Sequence, residues 1–227
     1  SFKNCLIILL NILIINFFIN FLKSKKTKDI IITFFLISLI FVINQNFIYF
    51  FNKKNLKSVY HDQIIQNKAI PAPLNYKGFP KSVCTSVNHV VCHGIPSERK
   101  ILSDGDIVNV DVTVILNGWH GDSSRMFVAG KTNKKNYEFL KTTYESLLIG
   151  ISEAKPGKHI GDIGNKIQKL AEGKGYSVVR DFCGHGIGKE FHTPPSVLHF
   201  GEPGEGPMLE PGMFLTIEPM INLGGWQ

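Results

Sequence analysis

Two aspartates in one stretch of alternating residues could form a metal site. Around them, β-branched residues alternate with polar ones, which predicts β-strands, and Asn117-Gly118 is a favoured two-residue hairpin turn. With these two residues as the loop, Thr113 lies opposite Asp122. Asp111 then lies on the same face, as a diagonal neighbour of Asp122 within reach across the sheet. The sequence therefore predicts two carboxylates on one face of one hairpin.

Carboxylates that face a protein core repel each other and lose their hydration. This arrangement is costly unless cations lie between them, so a bound metal is one explanation of the pair. The alternative is that one aspartate caps a turn while the other is solvated. The pair alone does not decide between these two interpretations.

Further candidate ligands and proton carriers follow along the chain, namely His93, His185, His192 and Glu218. Each lies beside an apolar strand or a glycine-rich bend, and any one of them alone could be structural. We expect the glycines of segment 184–188 to let the backbone approach other segments closely around His185. Together with the two aspartates, His185 and Glu218 form an oxygen-rich set that can hold two divalent ions.

Two helical patterns follow the hairpin, over residues 136–154 and 162–171, and each ends at glycine or proline-glycine signals. The faces that we expect against the core carry Leu140, Tyr144, Leu147, Leu148 and Ile151 in the first helix and Ile163, Ile167 and Leu170 in the second. The order of hairpin, helices and further strands predicts an α+β fold in which helices cover one face of an antiparallel sheet.

Charge divides the chain into two unlike pieces, residues 1–57 and 58–227. Eight of the 25 Lys and Arg residues but only one of the 18 acidic residues precede Ser58, so the second piece is neutral overall. Because the basic excess belongs to the first piece, we infer no nucleic-acid binding by the second. The four cysteines show no spacing typical of a disulfide framework, which favours a reducing compartment and a cytoplasmic location.

The first piece has two apolar stretches, residues 6–22 and 30–51, that are separated by lysines. Each approaches the length that spans a membrane, so residues 6–51 could form a two-helix anchor. The alternative is that this Lys- and Asn-rich piece is a mistranslated region, because its residues are those of A/T-rich codons. Both interpretations stay open, and a membrane is a partner only under the first.

From about residue 59 to residue 227 the sequence resembles the type I methionine aminopeptidases, which have the pita-bread fold. The matching motifs are residues 73–88, 91–96, 110–125, 184–188 and 217–220. The resemblance implies removal of the N-terminal methionine from peptides and nascent proteins by a water that bridges two divalent ions. It leaves the metal open among Co, Mn, Fe and Zn, and the ribosome is a further candidate partner.

The resemblance also implies roles for individual residues. The metal ligands would be Asp111, Asp122, His185 and Glu218, with Asp122 bridging the ions and Glu218 accepting a proton. His93 and His192 would be catalytic histidines that contact the substrate. The substrate pocket would be completed by Tyr76, Phe79, Cys84 and Phe191, an apolar and aromatic lining suited to a thioether.

Two departures from the family suggest an incomplete pita-bread fold. The family has a fifth ligand, a glutamate on a strand that would follow Gln227, and it has helices before residue 59 that residues 1–57 do not resemble. We therefore expect weak binding of the second ion and low activity in the chain as it stands. The rival interpretations are a pita-bread domain that has become a binding module, a membrane-anchored protein and a proline-directed relative.

Overall fold

The computed structural model describes the backbone of residues 56–227 and the side chains from Tyr60 onward. The helices are α1 (Leu56–Gln66), α2 (Lys134–Glu153) and α3 (Ile160–Gly173), and a short 3-10 turn covers Tyr76–Gly78. The strands are β1 (Ile70–Pro71), β2 (Cys84–Val87), β3 (Ile107–Leu116), β4 (Trp119–Val128), β5 (Ser177–Val178), β6 (Gly184–Gly186), β7 (Thr193–Val197) and β8 (Ile221–Asn222).

The apolar stretches at residues 6–22 and 30–51 lie outside the described residues, and so do the predicted helical anchor and its alternative. None of the helices from residue 56 onward combines the length and the apolar composition that crossing a bilayer requires.

The predicted hairpin is part of a four-stranded antiparallel sheet in which β3 pairs with all the other strands. β3 pairs with β4 along its whole length, and Thr113 lies opposite Asp122 as the two-residue loop predicts. Both loop residues have positive φ, 52° at Asn117 and 79° at Gly118, which matches the twist of a tight hairpin. β1 and β2 pair with β3 on its other edge, at opposite ends of the strand. This register places Cys84 of β2 opposite Asp111.

The remaining strands form two small antiparallel pairs, β5 with β8 and β6 with β7. Helices α2 and α3 pack on each other, and α3 contacts β5 and β7. The main apolar core lies where these elements meet, and its fully buried residues are Ile163, Ile167, Ala171 and Val197. The prediction of an α+β domain built on antiparallel strands and helices is confirmed.

The predicted buried face of α2 is wrong at two positions, Tyr144 and Ile151, which are 43% and 39% exposed. The buried face instead carries Phe139, Thr142, Ser146 and Gly150. The reason is close packing between helices, since a Cβ at Gly150 would lie 2.6 Å from the side chain of Ile167. α2 therefore approaches α3 along small residues, and its larger apolar side chains lie beside the contact. In α3 the burial of Ile163 and Ile167 confirms two of the three predicted core positions, whereas Leu170 is only partly buried.

This packing predicts unequal costs for the same substitution in two helices. Ile163→Ala removes a fully buried side chain and leaves a cavity, so we expect the free energy of unfolding to fall by about 2–5 kcal/mol. The matched control Ile151→Ala alters an exposed position and should cost about 1 kcal/mol or less. Urea unfolding followed by circular dichroism measures both values. Equal losses in the two variants would contradict the corrected face of α2.

Candidate metal centre

Three side chains from separate parts of the chain converge on one point. Asp122 of β4, His185 of β6 and Glu218 of the segment before β8 each offer a ligand atom, and these atoms lie within 4.8 Å of one another. The His185 Nε2 atom is 3.5 Å from Glu218 Oε1 and 3.8 Å from Asp122 Oδ2. The side chains of Asp122 and His185 are 13% exposed, whereas that of Glu218 is 33% exposed. Glu218 is thus the most accessible of the three.

Thr216 fixes the relative positions of His185 and Glu218. Its Oγ1 hydroxyl donates to Glu218 Oε1 at 2.6 Å and accepts the His185 backbone N–H at 2.9 Å. The Thr216 N–H in turn donates to the His185 carbonyl at 2.8 Å. These bonds tie the backbone of one candidate ligand to the carboxylate of the other.

Glycine permits this close approach at two positions of segment 184–188. A Cβ at Gly184 would lie 2.3 Å from the Thr216 carbonyl oxygen, and one at Gly186 would lie 2.4 Å from the Pro194 carbonyl oxygen. Both distances are far shorter than a van der Waals contact. The expectation is wrong for Gly188, where the nearest atom would be a ring carbon of Trp119 at an ordinary 3.6 Å.

Asp111 adds a third carboxylate next to this group. Its Oδ1 atom is buried and has no hydrogen-bond partner among the described residues. Burial, together with the negative charges of Asp122 and Glu218, raises the pKa of Asp111 well above its usual range. Burial likewise raises the pKa of Asp122, and it raises the pKa of Glu218 to about 7. Each carboxylate of the group therefore resists ionisation in the metal-free protein.

The donor set fits a divalent metal. Three carboxylates and one imidazole supply the oxygen and nitrogen ligands that Mn, Fe, Co and Zn accept in proteins, and they do not distinguish among these ions. A bound cation would offset the repulsion among the acids, and the buried oxygen of Asp111 could bind to it. The structure thus brings together all four residues that the sequence proposes as ligands, with Asp111 next to the closest three.

His192 and Phe191 form an aromatic cluster next to His185. The ring centroids of His185 and His192 are 4.3 Å apart, and those of Phe191 and His192 are 4.1 Å apart. The Tyr76 hydroxyl lies 2.8 Å from His192 Nδ1, and the Tyr76 ring is 4.9 Å from that of Phe191. Partial burial of its ring, followed by the charge of His185, lowers the pKa of His192 to about 4.

The other predicted pocket residues take different positions. Phe79 lies in the turn that begins at Tyr76, and its N–H donates to the Tyr76 carbonyl at 2.9 Å. Cys84 is buried opposite Asp111, and burial raises the pKa of its thiol to about 12, with a further contribution from that aspartate. The ring contact of His93 is with Phe182, edge to face at 5.5 Å, rather than with the histidines of the cluster.

Two further residues that the sequence did not predict lie around the site, Thr216 and His120. The His120 ring stacks on Phe191 with centroids 5.4 Å apart, and its Nδ1 lies 3.1 Å from the carbonyl oxygen of Gly188. The sequence does carry a signal for both residues, because side chains alternate between the two sides of an extended chain. Each residue lies two positions before a candidate ligand, His120 before Asp122 and Thr216 before Glu218, and so shares that ligand's side of the chain.

Comparison with known proteins agrees with this geometry. The model of metallopeptidase family M24 matches residues 50–227. A methionine aminopeptidase of Rickettsia prowazekii is 55% identical over 172 residues, which are 76% of this chain and 66% of the relative. Methionine aminopeptidase A of Synechocystis is 57% identical over 159 residues, which are 70% of this chain and 63% of the relative. The chain thus spans about two thirds of the length of these curated relatives.

Solved structures show the same relationship. The crystal structure of methionine aminopeptidase from Rickettsia prowazekii superposes with a TM-score of 0.76 at 52% identity, covering 80% of this chain and 75% of the other. The methionine aminopeptidase from Thermotoga maritima superposes with a TM-score of 0.74 at 37% identity, covering 75% and 69%. The fold is therefore the pita-bread fold. The chain belongs to metallopeptidase family M24, in its methionine aminopeptidase group.

Proposed function

We propose that residues 58–227 form a metal-dependent aminopeptidase domain that removes the N-terminal methionine from peptides and nascent proteins. The convergence of Asp122, His185 and Glu218 next to the buried oxygen of Asp111 carries this proposal. A domain that only bound peptides would have no physical need for a cluster of mutually repelling acids. The similarity to methionine aminopeptidases supports the choice of substrate.

The proposed ligands are Asp111, Asp122, His185 and Glu218, and the ions that they hold would supply Lewis-acid polarisation of a water and of the scissile carbonyl. Glu218 accepts the proton of the attacking water in this proposal. It is the most exposed of the three converging ligands, at 33% against 13% for the others, and can therefore reach a substrate-side water. Thr216 keeps its carboxylate in place.

His192 is proposed to stabilise the carbonyl oxygen of the bond that breaks. A pKa of about 4 keeps its imidazole neutral near pH 7, so Nδ1 can accept a hydrogen bond from the Tyr76 hydroxyl. Nε2 then carries the hydrogen and can donate to the oxygen on which negative charge develops. The stack of His192 on Phe191 limits rotation of the ring. In this proposal Tyr76 and Phe191 orient one donor, the Nε2–H group of His192.

The proposed methionine pocket is lined by Tyr76, Phe79, Cys84 and Phe191. The rings of Tyr76 and Phe191 pack with centroids 4.9 Å apart, and Cys84 is a buried neutral thiol, so all three supply apolar surface for a thioether side chain. His93 is proposed to hydrogen-bond the substrate backbone. This residue is exposed and has a backbone φ of 53°.

We propose a cytoplasmic location and the N-terminus of a peptide or nascent chain as partner, with the ribosome as a further candidate. The described cysteines, Cys84, Cys92 and Cys183, are free thiols, which is usual in a reducing compartment. For residues 1–57 the membrane anchor and the mistranslated region remain the alternatives that their composition offers.

Metal binding should depend on the converging acids. We expect calorimetric titration with Mn²⁺ to show that Asp122→Asn and Glu218→Gln each weaken binding by more than about 100-fold, because each removes a charged ligand and not an outer-shell contact. The matched control Glu210→Gln changes an exposed glutamate and should bind as the parent chain does. Unchanged affinity in the ligand variants would contradict the proposed centre.

Turnover should depend on His192 and on a free substrate amine. In the presence of Mn²⁺ we expect the chain to release methionine slowly from a Met-Ala-Ser peptide and not at all from its N-acetylated form. His192→Ala should lower kcat by about 100-fold, as loss of one oxyanion donor does, with little change in KM. His89→Ala, at an exposed histidine, is the control. Metal binding without any methionine release would favour the binding-module interpretation instead.

A further inference from the structure

His199 lies two residues beyond the end of β7 and is completely buried. Its Nε2 accepts the backbone N–H of Glu218 at 3.1 Å. We propose that His199 is a positioning residue, which holds the backbone of Glu218 and thereby aims the Glu218 carboxylate at the metal centre. The inference rests on the proposed function, because it assigns Glu218 its role as a ligand.

The hydrogen bond requires one particular form of the imidazole. Nε2 accepts a hydrogen bond only when it carries no hydrogen, so the ring is neutral and its hydrogen is on Nδ1. That nitrogen is buried and has no hydrogen-bond partner among the described residues. Such burial of a polar atom is unfavourable, and an apolar side chain would fill the same space at less cost. What His199 provides that an apolar residue cannot is an acceptor for Glu218.

Glu218 needs this acceptor because it lies outside the β-ladders. Glu218 lies in the segment before β8 and is not paired with any strand that the structure describes. No neighbouring strand therefore supplies an acceptor for its N–H. The two ends of this residue are restrained separately. Thr216 holds the carboxylate and His199 holds the backbone. A ligand fixed at both ends has little freedom to turn away from Asp122 and His185.

Helix α3 holds the segment that carries the histidine. A Cβ at Gly164 would lie 2.4 Å from the Phe200 carbonyl oxygen, so the helix touches the chain directly after the histidine. Asn165 donates to the Gly201 carbonyl at 2.9 Å, and the Gln168 side chain accepts the Gly201 N–H at 3.1 Å. The acceptor is therefore anchored to a helix of the core, and its position does not depend on the metal site.

Three variants separate the hydrogen bond from simple packing. His199→Leu removes the acceptor and keeps an apolar filling, whereas His199→Gln keeps an acceptor oxygen at a similar reach. The matched control is Val197→Ala, which loosens a fully buried neighbour without removing any acceptor for Glu218. Hydrogen exchange of the Glu218 amide in the metal-free chain and calorimetric titration with Mn²⁺ are measured for each.

We expect His199→Leu to speed exchange of the Glu218 amide and to weaken Mn²⁺ binding by about 10- to 100-fold, the range typical of partners behind a metal ligand. His199→Gln should restore most of both properties. Val197→Ala should leave the Mn²⁺ affinity near that of the parent. Equal effects of the Leu and Gln variants, or a loss of affinity in Val197→Ala as large as in His199→Leu, would overturn the proposal.

A measurement on the unmodified chain decides the matter even if a variant fails to fold. The N–N scalar coupling across the hydrogen bond between the Glu218 amide and His199 Nε2 should be observable by NMR, and a hydrogen found on Nε2 would overturn the proposal. Absence of Mn²⁺ binding in the parent chain would sink the proposed function instead. The amide exchange and the coupling do not depend on metal, so the two failures are distinguishable.

Discussion

Mutual repulsion among buried carboxylates is the constraint on which the rest of the structure depends. Asp111, Asp122 and Glu218 share one partly dehydrated space with a single imidazole between them. Burial raises the pKa of all three, and the oxygen of Asp111 is left without a hydrogen bond in the described part of the chain. Such a group persists only where the fold imposes it. A divalent cation converts the same repulsion into a tight ligand set.

Rigid connections between distant segments impose this arrangement. The hairpin holds Asp111 and Asp122 through a continuous ladder, and Gly184 lets the strand of His185 lie against the segment of Glu218. Thr216 then joins these two segments by side-chain and backbone hydrogen bonds. Each of these connections restricts the movement of one of the acidic or imidazole side chains of the site. The helices contribute at a distance, because Asn165 and Gln168 of α3 hold the segment after β7 that carries His199.

Sequence predicts the parts of this site that local rules determine. A two-residue turn fixes the register of a hairpin, so the pairing of Thr113 with Asp122 followed from the position of Asn117-Gly118. The buried face of α2 was not predictable in the same way, because the close contact at Gly150 depends on the partner helix. The hydrogen bond from Glu218 to His199 joins segments that share no ladder, and no periodicity in the sequence indicates it. Residue types and their positions beside strands and glycine-rich bends also indicated His185 and Glu218 as candidate ligands, and the resemblance to a family implied roles for each of the four.

The most direct test is a crystal structure of the chain grown with Mn²⁺, with diffraction data collected at the manganese absorption edge. We expect an anomalous peak among the side chains of Asp111, Asp122, His185 and Glu218. A peak elsewhere, or none at this position while the four side chains keep the arrangement described here, would contradict the claim that a cation resolves the repulsion among these acids.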